Sequence, residues 1–158
     1  MTRKKMIIGG LLVIVFVVAQ FFQPHKNQGN LESVELFLVE TQATQEVRKI
    51  LKYACFDCHS TSTNYPWYNS ITPVNYWLNG HINEGKKHFN VSDWARYSIE
   101  KKDYKLEELI EEIEEQDMPL ASYTWTHKEA QLTDVQLQSL VDWARNARSN
   151  YSLDTDNN

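Results

Sequence analysis

The chain has 158 residues, of which 42% are hydrophobic and 12% aromatic, and its formal net charge is −5. This length and composition are those of one modest globular domain with an appendage. Three of the 16 Lys and Arg residues lie in the first 22 positions, so the rest of the chain is strongly acidic. We therefore expect no nucleic-acid partner.

The N-terminal segment, residues 1–22, has the pattern of a membrane signal. Basic residues at positions 3–5 precede an uncharged apolar run from Met6 to Phe22. The positive-inside rule predicts a single-pass protein of the inner (cytoplasmic) membrane, with the following domain on the periplasmic side. The run is short for a spanning helix, and residues 17–19 are compatible with signal cleavage, but we favour an uncleaved transmembrane anchor.

Residues 23–43 are polar and irregular apart from a short apolar patch at 34–39, and we interpret them as a tether. The absence of internal repeats in the sequence favours a single domain, which we place at residues 44–149, followed by a disordered tail at 150–158.

The domain is predicted to open with a helix over residues 44–58. Its apolar positions recur at i, i+3, i+4 and i+7, which gives the helix one buried face: Val47, Ile50, Leu51 and Ala54. Both cysteines of the chain lie at the end of this helix, in Cys55-Phe56-Asp57-Cys58-His59.

Cys-x-x-Cys-His is the attachment sequence of c-type haem. Its two thiols add to the two vinyl groups of one haem, and the histidine that follows becomes an axial ligand of the iron. A thioredoxin-like redox pair would be expected after a strand rather than a helix, and a zinc site would need a second pair of ligands. A disulfide would close too small a loop to add much stability. We therefore predict that Cys55, Cys58 and His59 hold one haem c per chain.

The next segments carry many aromatic residues. Residues 64–70 form a predicted loop whose aromatic side chains are suited to covering a flat apolar cofactor. A second helix is predicted over residues 73–88, with one face formed by Val74, Trp77, Leu78 and His81. Ser92 is the predicted cap of a short segment that carries Trp94 and Tyr97.

A third helix is predicted over residues 103–116, where Leu106, Leu109, Ile110 and Ile113 make a buried stripe. We expect its glutamates to face solvent, although they could also dock a basic redox partner: Glu107, Glu108, Glu111, Glu112, Glu114 and Glu115.

The final helix has a capping box, with Thr133 as the N-cap and Gln136 three residues later. Its predicted inner face is Leu137, Leu140, Val141 and Ala144. No segment alternates like a strand, so the predicted fold class is all-α, a cytochrome c-like helical domain behind an N-terminal membrane helix.

A six-coordinate haem needs a second axial ligand, and Met118 is our prediction. It lies directly before Pro119, after the third helix, and a thioether paired with imidazole raises the reduction potential. An arbitrary methionine would simply pack in the core. His81 and His88 are the main alternatives, and His127 is a weaker one.

The chain resembles the haem-binding domain family of small c-type cytochrome-like proteins over approximately residues 47–147. The matching segments are the Cys55 to His59 motif, Tyr65-Pro66-Trp67-Tyr68, residues 73–78, His81 to Gly85, Lys87 to Asn90, Met118-Pro119-Leu120 and Leu132-Thr133-Asp134. The resemblance implies one covalent haem, with Cys55 and Cys58 as attachment residues and His59 as the proximal ligand. It implies no particular reaction.

These patterns together predict a membrane-anchored monohaem c-type cytochrome that transfers single electrons between periplasmic or membrane redox proteins and is not an enzyme. Three alternatives stay open. They are a haem-based gas or redox sensor with an open or labile sixth ligand, a peroxidase-like module that uses His81 or His88, and a haem-free thiol oxidoreductase.

Overall fold

A computed structural model describes residues 3–155, and most of them are helical. The eight α-helices are α1 (Arg3–Ala19), α2 (Glu35–Glu40), α3 (Gln45–Ala54), α4 (Phe56–His59), α5 (Val74–His88), α6 (Ile99–Glu114), α7 (Ala121–Thr124) and α8 (Asp134–Thr155). Four 3-10 turns join them, at Leu31–Val34, Trp67–Ser70, Val91–Arg96 and Lys128–Ala130. The described residues contain no β-strand, only an isolated bridge between Gln28 and Ser62. The all-α prediction is therefore confirmed.

The predicted N-terminal membrane helix is wrong. Among residues 3–155, no helix combines the length and the apolar character that a membrane span requires. Helix α1 has 17 residues, which at 1.5 Å per residue gives about 25 Å, less than the ~30 Å of a hydrocarbon core. The assignment to the inner membrane as a single-pass protein depended on this helix, so it is wrong as well.

The predicted tether also differs from the structure. Residues 31–40 fold into a 3-10 turn followed by α2, and the Phe37 ring is fully buried. Phe37 makes edge-to-face contacts with Phe89, Trp94 and Trp143 at centroid distances of 5.9, 4.9 and 5.8 Å. The apolar patch of this segment therefore belongs to the domain core, because its side chains complete an aromatic cluster that is distant in sequence.

The predicted helix over residues 44–58 is divided in two. Thr44 is the N-cap of α3 rather than its first residue, and it accepts a hydrogen bond from the Val47 N–H at 3.3 Å. The backbone leaves helical geometry at Cys55 (φ −125°, ψ −45°), and α4 then begins at Phe56. The predicted apolar face is confirmed, because Val47, Ile50 and Leu51 are buried.

Among the described helices, α6 and α8 have the most extensive contact with each other. Their predicted stripes meet in the core, where Leu106, Ile110, Ile113, Leu140, Val141 and Ala144 are buried. The glutamates of α6 do not form a uniform solvated face. Glu107 accepts from Arg148 and Glu114 from Arg145, so two of them join α6 to α8.

The start of α6 and the cap of the turn that carries Trp94 also differ from the prediction, because a neighbouring residue is the cap in each case. Ser98 accepts from the Lys101 N–H at 3.3 Å, so α6 begins at Ile99 rather than at residue 103. Asn90, not Ser92, caps the turn that carries Trp94, accepting from the Ser92 N–H at 3.2 Å.

The predicted disordered tail is partly helical. Helix α8 continues to Thr155, and the Tyr151 side chain is buried, with its hydroxyl donating to Glu40 Oε1 at 2.8 Å. The last three residues of that predicted tail, 156–158, lie outside the described residues.

The capping box of α8 gives a stability prediction. Thr133 Oγ1 accepts from the Gln136 N–H at 3.3 Å, and Gln136 Oε1 accepts from the Thr133 N–H at 3.0 Å. Replacing Thr133 by Ala removes one cap and should lower the free energy of unfolding by about 1 kcal/mol. Urea denaturation measures this loss. Gln138→Ala, on the exposed surface of the same helix, should change stability by less than about 0.5 kcal/mol, and equal effects of the two substitutions would contradict the prediction.

Candidate haem-binding site

The Cys-x-x-Cys-His segment forms one wall of a cavity of about 310 Å³, within the ~300–1,000 Å³ common for ligand pockets. Cys55, Cys58, His59 and Met118 all line this cavity. Apolar side chains make up much of the remaining wall, and they come from several helices and from the residue before α7: Leu51, Phe56, Leu109, Ile113, Leu120 and Leu140. The four residues singled out from the sequence are thus brought together.

The imidazole of His59 is held in one orientation. Its Nδ1 lies 2.9 Å from the backbone carbonyl oxygen of Phe89. A carbonyl only accepts, so Nδ1 carries the proton and Nε2 carries the lone pair, as a metal-binding histidine requires. Burial lowers the pKa of His59, while the hydrogen bond to Phe89 works against this shift. The ring is therefore neutral near pH 7 and suited to bind iron.

The two cysteines are free thiols, and both are half-buried. Burial raises the pKa of Cys55 to about 12, with the neighbouring Cys58 adding to the shift. Burial likewise raises the pKa of Cys58 to about 11, with Asp57 as the second cause. Redox-active cysteines instead have a lowered pKa, because the thiolate is the reactive form. This environment disfavours a thiol oxidoreductase.

Asp57, between the two cysteines, is a site residue that the sequence reasoning missed. Its Oδ1 accepts from the Asn64 N–H and its Oδ2 from the Tyr123 hydroxyl, both at 2.8 Å. Burial raises the pKa of Asp57, and these hydrogen bonds oppose the rise. The pair joins the motif to α7 at the cavity wall, where Tyr123 also lies. A charged residue between the two cysteines indicates that position 57 has a role in the site, but the sequence does not indicate that Tyr123 is its partner.

The candidates for the second axial ligand separate into two groups. Met118 lines the cavity from the loop after α6, and His81 and His88 line it from α5. His127 does not line it and instead stacks on the Tyr123 ring, with a centroid distance of 4.1 Å and an interplanar angle of 12°. The geometry therefore retains Met118, His81 and His88.

The aromatic loop at residues 64–70 does not cover this cavity, which differs from our expectation. Trp67 is 79% exposed, and the Tyr68 hydroxyl bonds to Thr126 Oγ1 at 3.1 Å. The loop contacts α5, the chain after α7 and, through the Asn64 N–H, Asp57 of the motif, but none of residues 64–70 lines the cavity. Aliphatic side chains of α3, α6 and α8 line the cavity instead.

A larger and more open depression, of about 970 Å³, lies between the turn before α3 and helix α8. Its wall includes Thr41, Asp142 and Asn146 but neither cysteine nor histidine. We assign the haem to the smaller cavity, because only that cavity contains an oriented imidazole and two thiols.

An all-helical domain with an oriented, neutral histidine beside two free cysteines in an apolar cavity fits haem. Consistent with this class of protein, the model of the haem-binding domain family matches residues 14–146. The chain belongs to this family and is a haem-binding protein. Neither the curated proteins nor the solved structures gave a match.

The contact between α5 and the motif gives a second prediction. A Cβ on Gly85 would lie 2.7 Å from the carbonyl oxygen of Cys58 and 3.1 Å from its Cβ, whereas a Cβ on Gly80 would meet nothing within 4 Å. Gly85→Ala should therefore displace the motif and lower the free energy of unfolding by roughly 1–3 kcal/mol. Gly80→Ala should raise it by about 0.5–1 kcal/mol, because alanine is the better helix former.

Chemical denaturation and the haem content of the purified variants test this contrast between two glycines of one helix. Equal stability and equal haem content of the two variants would contradict a close contact at Gly85.

Proposed function

We propose that the protein is a monohaem c-type cytochrome that transfers single electrons. Cys55 and Cys58 would hold the haem through thioether bonds, and His59 and Met118 would be the axial ligands of its iron. The observation that carries this proposal is the meeting of all four side chains in one cavity, with the His59 Nδ1 tied to the Phe89 carbonyl.

The stoichiometry follows from the thiols. One haem has two vinyl groups, and the chain has two cysteines, both in the same motif and both free. The turn of α4 carries Cys58 and His59, while Cys55 directly precedes it. All three therefore reach the same cavity from one short segment, which supports a single covalent haem per chain.

The chain's own residues would tune this site. The Phe89 carbonyl orients His59 and strengthens its basicity through the Nδ1–H hydrogen bond. The apolar wall limits access of water, and a thioether from Met118 favours the reduced iron. The haem itself, when bound, supplies the one-electron chemistry, and the protein supplies ligands, orientation and electrostatics.

Electron carriage needs no substrate site, so we propose that the protein is not an enzyme. With His59 and Met118 both bound to iron, no coordination position is left for a substrate. Its partners would be other redox proteins, steered by charge, since the chain has a net charge of −5 and exposed glutamates at positions 111 and 115 of the α6 region.

Covalent attachment is tested first. In protein produced with c-type maturation machinery, the Cys55→Ala/Cys58→Ala double variant should lose all haem that survives denaturation, because no thioether can form. Haem staining of denaturing gels and pyridine haemochrome spectra measure the loss. Met118→Ala is the matched comparison, since it keeps both thiols and should retain covalent haem. Wild-type protein without covalent haem under these conditions would refute the c-type assignment.

The sixth ligand is tested separately. Met118→Ala should lose the weak charge-transfer absorption band of ferric iron bound to a thioether, and its reduced form should bind carbon monoxide readily. His81→Ala and His88→Ala should keep the band. Loss of the band in a histidine variant alone, or prompt carbon monoxide binding by reduced wild type, would contradict Met118 ligation and favour the sensor or peroxidase-like alternative.

A further inference from the structure

The charged residues around the haem cavity are strongly unbalanced. Among the described residues that line it, four are acidic and one is a lysine, with no arginine: Asp57, Glu84, Glu108, Glu112 and Lys105. A haem adds two propionate groups to this acidic surrounding. Lys105 is therefore the one permanent cation of the wall that can compensate a propionate.

The side chain of Lys105 is largely withdrawn from solvent, and its ammonium has one carboxylate partner. Its side chain is 12% exposed, and its Nζ donates to Glu108 of the next helical turn and lies 5.2 Å from the centroid of the Tyr104 ring. A lysine ammonium has three N–H donors. Because one donor is used by Glu108, donors remain for an anionic acceptor in the cavity that Lys105 lines.

We infer that Lys105 anchors a haem propionate through a charge-assisted hydrogen bond, with Glu108 holding the ammonium in place. This inference rests on the proposed function, because it requires a haem in the cavity formed with Cys55 and Cys58. A charge-assisted hydrogen bond of this kind is about twice as strong as a neutral one. Lys105 would thus fix the haem edge that the thioether bonds do not reach.

Lys102 shows what a purely structural lysine looks like on the same helix. Its side chain is 13% exposed, and its Nζ donates to Glu40 Oε1 at 2.7 Å. Lys102 does not line the haem cavity. The two lysines match in helix, burial and carboxylate pairing, and they differ in their access to the haem.

Because Lys102 matches Lys105 in helix and burial, Lys102 serves as the control in the experiment. Haem content is measured first, and then redox-induced infrared difference spectra are recorded for haem-loaded protein whose haem propionates carry ¹³C-labelled carboxylates. The label separates the propionate bands from those of Asp and Glu. The proteins compared are wild type, Lys105→Met, Lys105→Arg and Lys102→Met.

We expect the labelled propionate bands to shift in Lys105→Met, because a carboxylate loses its cationic partner. Lys105→Arg should keep the bands close to wild type, and Lys102→Met should leave them unchanged even if it lowers stability. If Lys105→Met does not fold, Lys105→Met/Glu108→Gln removes both charges of the buried pair and is compared with Glu108→Gln alone.

Propionate bands that are identical in haem-loaded wild type and Lys105 variants would overturn the anchor and leave the c-type assignment intact. A shift of equal size in Lys102→Met would also overturn it, because the effect would then be structural. Wild-type protein without covalent haem would overturn the proposed function and this inference with it.

Discussion

The hydrogen bond from His59 Nδ1 to the Phe89 carbonyl is the interaction on which the site depends. It selects the tautomer in which Nε2 carries the lone pair. Phe89 is itself fixed by the aromatic cluster, since its ring contacts Phe37 and Trp94 edge-to-face at 5.9 and 6.2 Å. The orientation of the iron ligand is therefore set by the packing of the core, and a core substitution at Phe37 would act on the site through Phe89.

The backbone of α5 at Gly85 packs directly against Cys58 of the motif. Gly85 lets α5 pack against Cys58 at a distance that no side chain permits. The same helix brings His81 and His88 to the cavity, while α6 brings Lys105 and acidic side chains. The cavity therefore combines an apolar interior with a charged wall, the usual requirement of a cofactor that has an apolar ring system and two carboxylates.

The predictions from sequence are correct for features that depend on residues close together in the chain. The capping residue Thr133 and the apolar stripes of α3, α6 and α8 follow from periodicity and neighbouring hydrogen bonds. The predicted membrane helix and the predicted tether are wrong, and both predictions rested on the composition of a segment. The apolar N-terminal run forms a helix too short to span a membrane. The mostly polar stretch before residue 44 contains Phe37, whose side chain is buried in the core.

The sequence by itself determined the helical class, the haem motif and Met118 as a candidate ligand, because these depend on residue type and spacing along one chain. Only the tertiary structure decided that Met118, His81 and His88 reach the cavity while His127 does not. It also supplied the partners of His59 and Asp57. Such partners come from the packing of distant helices and from backbone carbonyls, which every residue has and which residue identity therefore cannot mark.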